Sequence, residues 1–301
     1  MQVNLNSGTY IVAVSGGVDS MVLLDVLQKQ YARNNTSQVQ LIVAHYNHGI
    51  REDANEDRML VQAAADVYGI EFVYDEVHLG NNVSEAVARE CRYKFLKNVQ
   101  RVYIAQAIIT AHHQDDLIET AIINMIRGTG RRGLTALQSH QNLVRPLLNI
   151  PKDALRSYAI ANQLSWREDS TNKDDRYLRN YIRLHIVSRF SNSDRASFLE
   201  ILRKLQTTNS QLDILLDNQL HIQSVGGMID RQWFNQLPHN VAREIMATWL
   251  RSQGETNFNS KMLERLVVAA KVAHAGSGFS ISKAHQLGVH KELLALNVLE
   301  R

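Results

Sequence analysis

Tyr10-Ile11-Val12-Ala13-Val14-Ser15-Gly16-Gly17-Val18-Asp19-Ser20 is the stretch that decides the fold. Its first five residues are apolar and rich in β-branched side chains, as a strand buried on both faces requires. Two glycines follow at once, and then Val22, Leu23, Val26 and Leu27 recur at helical spacing. A strand that runs through glycines into a helix gathers backbone N–H groups and the positive end of the helix dipole at one point. Adjacent glycines let the backbone approach an anion closely, and Ser15 and Ser20 add hydroxyls. The string Ser15, Gly16, Gly17, Val18, Asp19, Ser20 therefore reads as a phosphate pocket. It is not a Walker loop, whose lysine is absent, nor a dinucleotide fingerprint. Gly-Gly alone favours a tight turn capped by Asp19; the full Ser-Gly-Gly-Val-Asp-Ser string between a strand and an amphipathic helix points instead to phosphate.

Working outward, Leu41-Ile42-Val43-Ala44, Glu71-Phe72-Val73-Tyr74 and Ala107-Ile108-Ile109-Thr110 read as further buried strands. Helical patterns cover roughly residues 19–33, 52–68 and 84–100 between them. Strand–helix repetition of this kind predicts an α/β domain with a parallel sheet, in which ligands bind beyond the carboxyl ends of the strands. The loops after Val14, Ala44, Tyr74 and Thr110 are the ones to inspect. From about Ser193 the apolar residues Phe198, Leu199, Leu202, Leu205, Leu212, Leu215 and Leu216 keep helical spacing, and no strand is expected until late. The expected organisation is a catalytic domain over 1–192, a linker helix over 193–220 and a smaller, mainly helical domain over 221–301, with Pro238 and Gly276-Ser277-Gly278 as turns.

A chain of 301 residues with 45% hydrophobic and 21% charged residues is globular in composition, which excludes disordered and fibrous classes. One cysteine, Cys91, excludes an internal disulfide, a CxxC redox pair and cysteine-rich metal sites, and fits a reducing compartment. The N-terminus does not read as a signal peptide, and no apolar run reaches the length of a membrane span. A cytoplasmic protein is expected. The net charge of +3 conceals a segregation: residues 1–126 hold 9 Lys/Arg against 15 Asp/Glu, a net −6, whereas residues 127–195 hold 13 against 6, a net +7. That block is either a solvated charged face or a footprint for a polyanion.

Several further segments carry chemistry. His45-Tyr46-Asn47-His48-Gly49-Ile50-Arg51 ends the second strand. Glu85-Ala86-Val87-Ala88-Arg89-Glu90-Cys91-Arg92-Tyr93 puts Arg89 and Arg92 on one helical face, where they serve either an anion or a surface ion pair. In Ala111-His112-His113-Gln114-Asp115-Asp116-Leu117-Ile118-Glu119-Thr120, His112 and Asp116 are four apart and would share a helical face. His-x-x-x-Asp could be half of a metal site, but no third ligand follows at suitable spacing. Glu119 reads as a structural carboxylate. Arg127-Gly128-Thr129-Gly130, Arg145-Pro146-Leu147-Leu148, Trp166-Arg167-Glu168-Asp169-Ser170-Thr171-Asn172 and Arg179-Asn180-Tyr181-Ile182-Arg183 complete the set.

The phosphate string resembles the PP-loop pyrophosphatase superfamily, and the other segments, in their order and spacing, resemble the tRNA(Ile)-lysidine synthetases. That resemblance is dense over about residues 10–190 and weaker near Trp233 to Leu250. It implies a PP-loop, adenine nucleotide alpha hydrolase-like domain with a C-terminal tRNA-recognition domain. It further implies ATP with Mg²⁺, and an enzyme that adenylates the wobble cytidine of a CAU anticodon and then attaches free L-lysine. Ala13, Ser15, Gly16, Gly17, Val18, Asp19, Ser20 and His45 would bind ATP, with Asp19 also near the metal. Arg89, Arg92 and Arg179 would join Asp19, His112 and Asp116 in catalysis. Lysine has a pKa near 10.4, so about one molecule in 2,500 is a free amine at pH 7; Asp116 would hold its ammonium and relay its proton, with His112 as alternative base. Arg127, Arg131, Arg132, Arg179 and Arg183 would meet tRNA phosphates, helped by Arg243 and Arg251. A homodimer is left open. Many relatives carry a further C-terminal domain beyond the point where this chain stops, and Ile186-Val187-Ser188 stands where they usually have a proline. Rival readings are a PP-loop thiolase, which the single cysteine disfavours, an amidating synthetase, and a catalytically silent tRNA-binding module.

Overall fold

The computed structural model describes residues 1–32, 38–49, 54–77, 85–168 and 175–299; of the motif segments above, Ile50, Arg51 and residues 169–172 fall outside them. The chain divides into two units, Met1–Arg127 with Ala136–Phe198, and Gly128–Thr135 with Leu199–Arg301.

In the first unit β1 (Gly8–Ala13) is the middle strand of a parallel sheet. It lies between β2 (Val39–Asn47) and β4 (Ala107–Ile109), with β3 (Glu71–Glu76) beyond β2 and β5 (Leu143–Val144) beyond β4. Ile11 faces Ile42 on one side and Ile108 on the other. Because side chains alternate along a strand, Tyr10, Val12, Leu41 and Val43 feed one apolar layer. Ile11, Ile42, Ala44 and Ile108 feed the opposite layer, against Phe95, Leu96 and Val99. The continuous apolar run of β1 is thus the mark of a strand covered on both faces.

The helices of this unit are α1 (Val18–Leu27), α2 (Ala54–Tyr68), α3 (Glu85–Val102), α4 (Gln114–Ile126), α6 (Lys152–Ala161) and α7 (Leu178–His185); the short α5 (Arg131–Leu134) belongs to the second unit. Helix α1 ends six residues before the expected Arg33 and continues as a π-helical turn over Gln28–Ala32; its apolar spacing stops at Leu27, before three polar residues. Strand β5 was not anticipated, being two residues long. Helix α8 (Asn192–Ile222) runs from the first unit into the second.

The second unit is mainly helical, with α9 (Arg231–Gln236), α10 (His239–Ser252) and α11 (Ser260–Val272). It also holds an antiparallel sheet of β6 (Ser224–Val225), β7 (Met228–Asp230), β10 (Leu293–Val298), β9 (His285–Val289) and β8 (Ser277–Ser280), in that order. Two of its strands thus come directly after α8, earlier than expected; they are two and three residues long, too short for alternation to show. Gly226 and Gly227, both at positive φ, make the two-residue turn between them. Trp249, Phe234, Leu250 and Leu266 form the core, and the Trp249 indole N–H donates to the Gly227 carbonyl at 2.7 Å. Of the Gly276-Ser277-Gly278 turn, only Gly276 has positive φ; Ser277 and Gly278 open β8. No helix among the described residues is long and apolar enough to cross a membrane.

One buried charge organises the first unit. Asp25, on α1 and only 3% exposed, accepts hydrogen bonds from the hydroxyls of Tyr158 on α6 at 2.7 Å and Tyr68 on α2 at 3.1 Å. Lys29 Nζ lies 2.8 Å from the same carboxylate. Removing the carboxylate takes away the acceptor of two hydroxyls and the ion-pair partner of Lys29, so Asp25→Ala should lower the unfolding free energy by about 3 kcal/mol. Urea denaturation checks this, and a loss below about 1 kcal/mol would show that α6 does not depend on this carboxylate.

Candidate active site

The carboxyl ends of β1, β2 and β4 open into a cavity of about 810 Å³. At its floor, Gly16 adopts φ +93°, where an L side chain is strained, and a Cβ there would come within 3.4 Å of Asp57. Ser20, 5% exposed, braces the loop from inside. Its hydroxyl donates to the Gly17 carbonyl at 2.9 Å and accepts from the Ser15 N–H at 3.1 Å. Ser20 thus shapes the loop with the hydroxyl that the sequence reading assigns to phosphate, whereas Ser15 is exposed. The Arg167 N–H donates to the Gly16 carbonyl at 3.0 Å and ties the loop to the chain after α6.

Beyond β4 the backbone turns into α4 through an N-cap made by His113, not His112. The Asp115 N–H donates to His113 Nδ1 at 3.2 Å, and the His113 N–H donates to Asp116 Oδ2 at 2.9 Å, a reciprocal capping box. His112 therefore precedes the helix and does not share a helical face with Asp116, as the four-residue spacing predicts; the helix starts later than the strand ends because the cap occupies the junction. Both residues nonetheless line the cavity. His113 Nε2 lies 3.5 Å from Asp116 Oδ2 and 3.6 Å from Asp19 Oδ2, linking α4 to the phosphate loop. Sequence reasoning missed His113 because its signal, a cap, depends on where the helix begins.

Asp19 Oδ2 also receives Lys152 Nζ at 2.6 Å, while Asp19 Oδ1 is buried without a hydrogen-bond partner. Burial opposes ionisation of Asp116, yet His113, His112, the His113 N–H and Arg183 outweigh it and hold the carboxyl below its ordinary value. Glu119 is fully buried and clasped by Arg183 through Nε at 2.7 Å and Nη2 at 2.9 Å, with Arg179 Nη1 at 3.7 Å. Burial pushes the Glu119 pKa up against the pull of Arg183. Arg183 Nη2 stands 3.7 Å from Asp116 Oδ1.

Three histidines of the cavity, His45, His48 and His112, are pushed toward the neutral form. Burial pushes His112 down to about 3, with Arg145, Arg89 and Arg92 acting in the same direction and Asp116 opposing. Its Nδ1 lies 2.8 Å from the Thr110 hydroxyl. Burial, then Arg92, lowers His48 to about 4, and burial lowers His45 as well. His45 Nδ1 is 2.8 Å from the Val14 carbonyl, so this nitrogen donates and Nε2 is left as a buried acceptor without a partner. Arg89 and Arg92 face the Tyr93 ring at 4.8 and 5.8 Å. Arg92 and Tyr93 line the cavity, while Arg89 reaches the Tyr93 hydroxyl at 3.4 Å and is not among the described lining residues.

The cavity thus brings together Ala13, Ser15, Gly17, Val18, Asp19, Ser20, His45, Arg92, His112, Asp116 and Arg183 of the expected site, with Gly16 beneath and Arg89 and Arg179 adjoining. It adds Lys152, which lies in none of the quoted segments, and His48, Tyr93, His113, Trp166 and Arg167, which lie in them without an assigned role. Arg127 is exposed at the end of α4. Arg131 and Arg132 lie in the second unit. There Arg131 bonds Asp213 Oδ1 at 2.6 Å, Glu244 Oε2 at 2.9 Å and Asn209 Oδ1 at 3.3 Å, and Arg132 meets Asp213 at 2.7 Å. Asn209, itself 6% exposed, returns a bond to the Arg131 carbonyl, so the glycine-bounded segment 128–135 is clamped rather than loose. Arg243 pairs with Ser260 at 2.8 Å, and Arg251 stacks on Phe258 at 5.2 Å.

Comparison with known proteins fits this geometry. The PP-loop domain family matches residues 1–190. The chain is 32% identical over 274 residues to the tRNA(Ile)-lysidine synthase of Lactiplantibacillus plantarum, covering 86% of this chain and 60% of that protein. It is 40% identical over 184 residues to the tRNA(Ile)-lysidine synthase of Thermus thermophilus, covering 58% of this chain and 34% of that protein. The chain thus spans well under two thirds of the length of these curated relatives. Among solved structures, the U34-tRNA thiolase of Methanococcus maripaludis superposes with a TM-score of 0.55 at 19% identity, over 68% of this chain and 73% of that one, a likeness of fold. The chain belongs to the PP-loop domain family, and the curated relatives it resembles here are tRNA(Ile)-lysidine synthases.

Proposed function

We propose that the protein ligates L-lysine to C2 of the wobble cytidine in the CAU anticodon of tRNA(Ile), consuming ATP. The observation that carries this reading is the joining of a phosphate loop at β1 to Asp116, His112 and Arg92 around one cavity, in a chain whose relatives carry that name. In the first step the cytidine C2 oxygen attacks the α-phosphorus, and the bond to pyrophosphate breaks. The loop N–H groups and the first turn of α1 hold the phosphates, and Arg92 meets charge building on the phosphate oxygens. His45 Nε2, a fixed acceptor, receives a donor of the nucleoside. In the second step the lysine amine attacks C2 and AMP leaves with the former C2 oxygen. Asp116, held ionised, binds the lysine ammonium and takes the proton shed as the C–N bond forms, with the neutral ring of His112 beside it.

Asp19 Oδ1, buried and unpartnered, fits a magnesium ion entering with the triphosphate. No group of three or more metal-ligating side chains exists among the described residues, so phosphate oxygens and water would complete its shell. Such an ion would neutralise the β- and γ-phosphates and ease departure of pyrophosphate. Exposed Arg127 and the α7 face carrying Arg179 are the first unit's contribution to binding tRNA phosphates, a cytoplasmic setting follows from that substrate, and the second unit, with Arg131 and Arg132, is the tRNA-recognition domain.

Incubation with ATP, Mg²⁺, labelled lysine and an isoleucine tRNA bearing CAU should transfer label to the tRNA. Pyrophosphate release without transfer would instead favour another PP-loop activity, and neither would sink the enzymatic reading. Asp116→Asn keeps an oxygen for the cap, so it should slow lysine transfer by about 100-fold while ATP affinity changes little; equal loss of both would show that Asp116 serves the loop rather than lysine. His112 offers a test by pH. The unfolded chain binds its proton near pH 6.5, the folded protein only near pH 3, so this group makes stability fall as pH drops through that window. His112→Asn should therefore lose less stability between about pH 7.5 and about pH 4.5 than the parent in urea denaturation. An identical loss would show that His112 is not held neutral.

A further inference from the structure

The phosphate loop has no lysine of its own, yet an ammonium reaches it. Lys152 opens α6 and lines the same cavity, with its Nζ 2.6 Å from Asp19 Oδ2. Besides Arg92 on α3, three further cations line the cavity wall, and each is held by a carboxylate. Arg183 clasps Glu119, Arg167 pairs with Glu56 and Asp57, and Arg156 pairs with Glu168. Among the described residues, Asp19 is the sole ion-pair partner of Lys152. Asp19 in turn sits in the first turn of α1, where incoming phosphates would compete with it for the ammonium and their counter-ion would compete with the ammonium for it.

The position of Lys152 is built, not incidental. The Gln114 N–H, first in α4, donates to the Ile150 carbonyl just before α6 at 3.0 Å. Further along α6, Tyr158 bonds Asp25 at 2.7 Å and Asn162 accepts from Lys29 at 2.7 Å, both on the α1 side. These ties hold the start of α6 over the start of α1, and side-chain exposure of 36% leaves the ammonium free to turn toward a ligand.

We infer that Lys152 is a triphosphate-binding residue, the cation that the loop sequence lacks, resting on Asp19 until ATP enters and then exchanging that carboxylate for phosphate oxygens. This rests on the reading of the loop as an ATP site. It makes Lys152 a catalytic residue for the adenylation step, since the pyrophosphate that departs carries the charge that the ammonium meets.

The test is equilibrium binding of ATP and of inorganic pyrophosphate to the full chain, with and without Mg²⁺. Parent, Lys152→Gln, Lys152→Arg, Asp19→Asn and the double variant Asp19→Asn with Lys152→Gln are compared, and thermal melting verifies that each is folded. Lys152→Gln should weaken both ligands by about tenfold or more, the loss of one charge-assisted contact, and Lys152→Arg should restore most of the affinity. In the Asp19→Asn background, Lys152→Gln should still weaken binding. An effect that vanishes in that background would overturn the inference by showing that Lys152 only neutralises Asp19. A change below about twofold in the single variant would overturn it as well. If the parent binds neither ligand in either condition, the reading of the loop as an ATP site fails along with it.

Discussion

Glu119 has no exposed surface, and both of its oxygens are taken by Arg183. A carboxylate removed from water must be paired or protonated, so α7 has to lie where its arginine can reach α4. From there the contacts run on: Arg183 to Asp116 at 3.7 Å, Asp116 to His113 at 3.5 Å, His113 to Asp19 at 3.6 Å, and Asp19 to Lys152 at 2.6 Å. Four helices that are remote in sequence meet along this line. Buried ion pairs are weak evidence for stability, since desolvation offsets much of their attraction. What they do well is fix position, because each misplaced partner leaves a charge uncompensated in a dry place.

The same dryness sets the character of the cavity. His45, His48 and His112 are all pushed toward the neutral form by burial, and nearby arginines deepen the effect at His48 and His112. Arg92, Arg183 and Lys152 line the same cavity. Histidine, the usual switch between pH 5 and 8, is here a fixed hydrogen-bonding group. His45 shows how the orientation is chosen: its Nδ1 is occupied by the Val14 carbonyl, so Nε2 can only accept. Under the proposed reading, a site that meets a polyphosphate and then an ammonium gains from histidines that stay neutral where imidazole would ordinarily titrate.

What could be read from the residues was what local spacing records. The strand at Tyr10 to Val14 announces burial on both faces, and the glycines after it announce the loop, because both signals lie within eleven residues. Strands β5, β6 and β7 escaped because two or three residues contain no period. The His112 and Asp116 pairing was read as helical from its spacing, but the cap at His113 moves the start of α4 beyond His112. Lys152 and Asp19 are 133 residues apart, Arg183 and Glu119 sixty-four. No periodicity connects such pairs; only the folded topology brings them together, and the resemblance to a family could name their segments without saying what each side chain touches.

Charge segregation along the chain illustrates the point most sharply. The acidic first stretch and the basic block after it read as two independent faces, the second suited to a polyanion. In the fold, part of each answers the other: Asp19 takes Lys152, Asp57 takes Arg167, Asp115 takes Arg195, and Glu119 takes Arg183 and Arg179. Arg131 and Arg132 are likewise engaged by Asp213. Many of the block's cations are therefore engaged within the protein, while exposed residues such as Arg127 and Arg189 make no ion pair among the described residues. A surface that binds RNA needs few such charges if the substrate is also gripped at the reacting base, because phosphate contacts orient and do not discriminate. The basic block acts first on the acidic half of its own chain, and its share in any polyanion contact is the remainder.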